Sequence, residues 1–164
     1  MLRTRVVTAS VLGGLLGGLA GAGAMSAAHV LVASLRQETA APTAQQDDAT
    51  VKVGDALSRL ARGRSLAQDE KPAAGSAVHY GFGAVVGTAY GAVAASVPRA
   101  TVGSGAAFGA AVWLGAHVLV VPALGLAPSP LRQPATKEGL ELVLHLLYGI
   151  TVEFCRRVVL RFAR

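Results

Sequence analysis

From Val6 to Leu35 thirty consecutive positions carry no charge, more than the ~20 residues that cover a bilayer's hydrocarbon core. Three further apolar stretches follow, and the pattern predicts helices over about 6–34, 76–97, 102–122 and 139–160. Pro98 cannot continue the second helix, and Thr101 or Ser104 is placed to cap the third. So short a connection sets helices two and three antiparallel as a hairpin. Pro128, Pro130 and Pro134 make residues 123–136 a loop. The result is an all-α fold: a four-helix transmembrane bundle, up-down-up-down, in one integral membrane domain spanning 1–164.

Residues 36–75 differ, with six basic and six acidic residues, Pro42 and Pro72 and no apolar run. This is the one long extramembrane loop. Within it Val53, Leu57 and Leu60 share one side, which predicts a short amphipathic helix lying on the membrane surface, with a solvated connector helix as the alternative. For the first helix the alternative is a secretory signal, with Arg3 and Arg5 as its basic region and small residues from Ala22 to Ala28. The apolar run exceeds the 7–15 residues of such signals and continues through Val30, Leu31 and Val32, which favours a retained helix.

Small residues recur every fourth position: Gly13, Gly17, Gly21; then Gly83, Gly87, Gly91; then Gly105, Gly109; and Gly149 in the last helix. Residues four apart on an α-helix drift by only ~40°, so each file is a stripe without bulk against which another helix packs closely. Each stripe is in register with one histidine: His29, His79, His117 and His145 stand 8, 4, 8 and 4 residues from a glycine of their own helix. In an up-down-up-down bundle these four positions fall on one side of the membrane, as a layer ~5 to 10 Å below the surface.

Composition narrows the reading. With 52% hydrophobic residues, 20 glycines and a mean hydropathy of +0.50, the chain is too apolar for an ordinary soluble domain. Charged residues make up 15%, and the +6 excess comes partly from a basic carboxyl end rather than from a basic face interleaved with aromatics. Nucleic acid is therefore not the expected partner; the lipid bilayer is, with anionic headgroups accounting for the high pI. Arg3, Arg5, Arg99, Arg156, Arg157, Arg161 and Arg164 gather on one side, which predicts that both termini are cytoplasmic. The single Cys155 excludes an internal disulfide and reads as a packed thiol.

The chemistry is concentrated in the histidines. Imidazole titrates near neutral pH, so a layer open to the outside would sense or relay protons, with Glu141 one turn from His145 to hold its second nitrogen. A metal or haem is the alternative occupant, with His79, His117 and His145 as its ligands. Four-helix dihaem arrangements place histidine pairs near both faces, unlike this one-sided layer. The plainest alternative is interfacial histidines bonded to backbone or water. No nucleophilic triad or nucleotide loop is present: the GFGAVVG run at 81–87 lies inside an apolar span with no preceding strand. The chain is not expected to be an enzyme. Glu153, beside Arg156 and Arg157, reads as a snorkelling ion-pair partner. Glycine faces turned outward would suit a second copy or a larger membrane complex.

Three blocks, AGSAVHYGFGAVVGTAYG (74–91), GAAVWLGAHVLVVPALGLAPSP (109–130) and KEGLELVLHLLYGITVEFCRR (137–157), carry a resemblance. Through His79, Tyr80, Trp113, His117, Pro122, His145, Tyr148 and Glu153 among others, the chain resembles the YagU-like family of small bacterial inner-membrane proteins. The resemblance implies an inner-membrane location and a part in surviving low external pH; it implies no substrate.

Overall fold

A computed structural model describes residues 2–36 and 48–163. The fold is all-α, and no strand occurs among the described residues. Helix α1 spans Leu2–Leu35, α2 Ala49–Arg62 and α3 Lys71–Ser96. A 3-10 turn, Pro98–Gly105, leads into α4, Ala106–Val112, which runs on as a π-helical segment, Trp113–Val120, and ends in α5, Val121–Ala123. After a short 3-10 turn at Pro130–Arg132, α6 covers Ala135–Phe162. Two stretches, Thr4–Leu35 and Arg99–Ala123, are long and apolar enough to cross a membrane.

Helix α1 lies between α3 and α6 and meets each along a different glycine edge. Toward α3, a methyl group at Gly14 would fall on the Gly87 carbonyl, one at Gly18 on the Gly83 carbonyl, and one at Gly91 on the Ser10 carbonyl. Toward α6, methyls at Gly13, Gly17 and Gly21 would meet Arg156, Val152 and Tyr148. In both pairings one residue number rises as the other falls, so α1 is antiparallel to α3 and to α6. Helix α4 packs antiparallel on α6, with Gly105 against Gly149 and Gly109 against the His145 backbone. Backbones at this separation gain dispersion contact along their whole length, which side chains of any size would forfeit.

The third helical rod differs from its sequence expectation. It begins at Ala106 rather than near 102, because Val102, Gly103 and Ser104 leave helical geometry. Neither Thr101 nor Ser104 caps it: Gly105 is the cap residue, with no side-chain hydrogen bond. Gly105 has φ 94, and a Cβ there would strike the Gly149 carbonyl, so glycine is required twice over. The rod is antiparallel to α3, yet it lies chiefly on α6 and meets α3 through stacked rings, Tyr90 and Phe108, at 4.2 Å. Around that stack Met25, Tyr90, Ala94, Leu144, Tyr148 and Val152 form the core, and the Tyr148 hydroxyl donates to the Gly83 carbonyl at 2.6 Å.

Between residues 48 and 75 lie the short helix expected there, α2, and the first turn of α3. Helix α3 starts at Lys71, five residues before the expected 76, because Pro72 suits the first helical turn, where its missing N–H has no partner to lose. Helix α2 is capped by Asp48, whose carboxylate accepts from the Val51 N–H at 2.9 Å. It docks on α3 through Gly54 against Ala74 and Val51 against Gly75, and Lys52 Nζ donates to the Leu126 carbonyl at 2.6 Å. Leu57 and Leu60 point away from that contact and remain exposed. Pro42 and the rest of 37–47 lie outside the described residues.

Candidate functional site

The first turns of α6 set Glu138, Glu141 and His145 at spacings of three and four, so all project from one face. The antiparallel packing brings the end of α1 and the π-helical segment to that face. His29 Nε2 lies 3.2 Å from Glu141 Oε1, and His117 Nε2 lies 3.0 Å from Glu138 Oε2. His145 Nδ1 donates to the Glu141 carbonyl at 2.7 Å, and its ring centroid is 5.8 Å from that of His117. Trp113, one turn before His117, stacks on it with centroids 6.5 Å apart. His79 stands beside this group: its Nε2 donates to the Ala22 carbonyl at 3.3 Å, and its ring lies edge-on to Tyr80.

Three of the four histidines and Glu141 are thus joined at one end of the bundle, while His79 is tied to backbone on the same side. The carboxylates are mostly covered, their side chains 18% exposed for Glu141 and 14% for Glu138. Attraction at such partly covered positions is stronger than between solvent-exposed charges. Among the described residues no group of three or more His, Cys, Asp and Glu is arranged to hold a metal. Sequence reading missed Glu138. Its signal was the i, i+3 spacing to Glu141, which puts both carboxylates on one helical face.

At the opposite end lies a second polar group that the sequence placed elsewhere. Glu153, expected at a snorkelling edge, is only 1% exposed. Its carboxylate accepts from Arg156 at 2.6 and 2.9 Å, from Arg157 Nε at 2.6 Å and from the Tyr90 hydroxyl at 2.8 Å. Arg156 Nη1 reaches Ser10 Oγ at 3.2 Å, and Ser10 in turn donates to the Gly91 carbonyl at 2.6 Å. Helices α1, α3 and α6 therefore share one buried, bonded network. The register of Glu153 with Gly149 was its sequence signal: a residue four from a packed glycine lies on the packed face.

The glycines Gly13, Gly17, Gly21, Gly83, Gly87, Gly91, Gly105, Gly109 and Gly149 all meet other helices of the same chain. Gly14 and Gly18 belong with them. The doubled glycines of GGLLGG give α1 two adjacent edges, one for each neighbour.

Residues 52–154 match the family described as Protein of unknown function (DUF1440). The chain belongs to that family. No curated protein and no solved structure matches it. The DUF1440 stretch takes in most of α2, all of α3 and the third rod, and α6 as far as Phe154. It includes His79, His117, Glu138, Glu141, His145 and Glu153, whereas His29, Ser10, Arg156 and Arg157 fall outside it.

Proposed function

We propose that this DUF1440 protein is a multi-pass inner-membrane protein of four crossings with both termini cytoplasmic, and that its outward end is an acid-responsive latch without enzymatic activity. One observation carries the reading: His29 of α1 and His117 of the π-helical segment each face a carboxylate of α6. When external pH falls and the imidazoles take up protons, each imidazole–carboxylate contact becomes an ion pair holding its helix to α6. The facing groups are His29 from α1, His79 from α3, His117 from the third rod, and Glu138, Glu141 and His145 from α6. The outer end then stays closed in acid and loosens near neutrality. Resemblance to the YagU-like family supports a role in acid survival, and the length and apolarity of α1 and of the third rod support the membrane location.

The test is acid survival of cells that depend on the protein, paired with melting of the purified protein in detergent between pH 7 and 5. The parent chain should melt higher at pH 5, and a Glu138→Gln, Glu141→Gln variant should lose both that rise and the survival. Equal survival and an unchanged pH dependence in the variant would end the proposal.

A further inference from the structure

The two ends of the bundle differ in how their charges are balanced. At the histidine end acids and bases are mixed, and Arg59, Arg62 and Arg64 pair with Asp55 and Glu70. The end that carries the start of α1 and the close of α6 exposes Arg5, Arg99, Arg157 and Arg161. Its one described acid, Glu153, is buried and held by two arginines. Between α1 and α6 at this basic end runs an open cleft of about 370 Å³, lined by Thr4, Arg5 and Thr8 toward the helix ends and by Leu12 and Val159 further in. Arg5 makes no ion pair with another described residue. Thr88 and Thr151 turn their hydroxyls back to carbonyls four residues earlier, at 2.7 and 2.8 Å. Thr4 and Thr8 form no bond with any described residue, so both hydroxyls are free at the mouth of the cleft.

We infer that this cleft seats one anionic phospholipid, its phosphate at Arg5, Thr4 and Thr8 and an acyl chain along Leu12 and Val159. A guanidinium with two free hydroxyls matches the charge and acceptor oxygens of a phosphodiester. The apolar floor matches the first methylenes of the chain. A zwitterionic headgroup carries its own cation and gains less from so basic an end. The inference rests on the membrane placement proposed above and is independent of the histidine latch.

The test uses the full chain in detergent, melted during titration with phosphatidylglycerol, phosphatidylcholine or inorganic phosphate, with bound lipid read by native mass spectrometry. Phosphatidylglycerol should raise the melting temperature with one lipid bound per chain, and the other two should not. Arg5→Gln should raise the half-saturating concentration about fivefold, the effect of ~1 kcal/mol for one basic side chain at an anionic surface. Arg5→Gln with Thr8→Val should lose more, and Arg99→Gln, outside the cleft, nothing. Both cleft side chains are exposed, so the lipid-free variants should melt with the parent. Equal stabilisation by phosphatidylcholine, or unchanged affinity in the double variant, would overturn the site. An equal response to inorganic phosphate would make it a free-anion site instead. Recovery of the chain in the soluble fraction of cells would fail the membrane placement, a result distinct from either.

Discussion

The Tyr90 hydroxyl of α3 donates to Glu153 Oε2 of α6 at 2.8 Å, a bond buried between two helices that meet mainly through side chains. Tyr90→Phe removes a donor to a charged acceptor and leaves both arginines in place, so the expected loss is ~1.5–3 kcal/mol. Glu153→Ala strands Arg156 in the core and should remove ~3–5 kcal/mol. Arg157→Ala, whose side chain is 48% exposed, should cost no more than about 1 kcal/mol. Melting of the three variants in one detergent gives the order; an Arg157 variant as unstable as the Glu153 variant would contradict it.

Gly87 and Gly81 lie on the same helix in opposite circumstances. A Cβ at Gly87 would collide with the Gly14 carbonyl, whereas nothing lies within 4 Å of one at Gly81. Gly81→Ala should stabilise α3 by up to ~1 kcal/mol through helix propensity. Gly87→Ala forces α1 and α3 apart and should cost ~1–3 kcal/mol, the range for overpacked cores. Comparative melting decides it, and similar values for the two would show that the α1–α3 approach is not tight.

The histidines should separate by partner. His29 faces a carboxylate across a helix interface, while His79 faces a carbonyl. His29→Gln should flatten the rise in melting temperature from pH 7 to pH 5, and His79→Gln should leave most of it. A full rise in the His29 variant would remove this contact from the latch.

Outside the bundle, Glu70 ties the α2–α3 elbow. Arg64 grips its carboxylate through two nitrogens at 2.8 Å, the Ala67 N–H adds a bond at 2.7 Å and Arg62 one at 2.9 Å. Together they hold the carboxyl at about 2, below its ordinary 4.5. A folded-state value lowered in this way stabilises the elbow fully above pH 4.5 and is lost as pH falls toward 2. Hydrogen exchange of α2 amides should accelerate across that window in the parent. In Glu70→Gln it should be faster at neutral pH already and change less.

The all-α fold and the antiparallel order of its helices were legible along the chain, because a charge-free run or a four-residue glycine step is a local property that survives into any packing. The start of α3 was misjudged by five residues and the start of the third rod by four. In one case proline favoured an earlier turn, and in the other the approach of Gly105 to the Gly149 carbonyl required a left-handed residue where an ordinary cap was expected.

Which residues meet was settled only in three dimensions. The doubled glycines of α1 show two edges in sequence, but their assignment to α3 and α6 depends on how three rods nest. Glu153 looked like an edge charge because Arg156 and Arg157 follow it. Burial became tolerable once Tyr90 from α3 and the arginine held by Ser10 from α1 supplied its bonds, partners 63 and 146 residues apart in their respective pairs. Periodicity reports the face on which a residue lies; the free energy of a buried charge depends on what the neighbouring helices bring to that face.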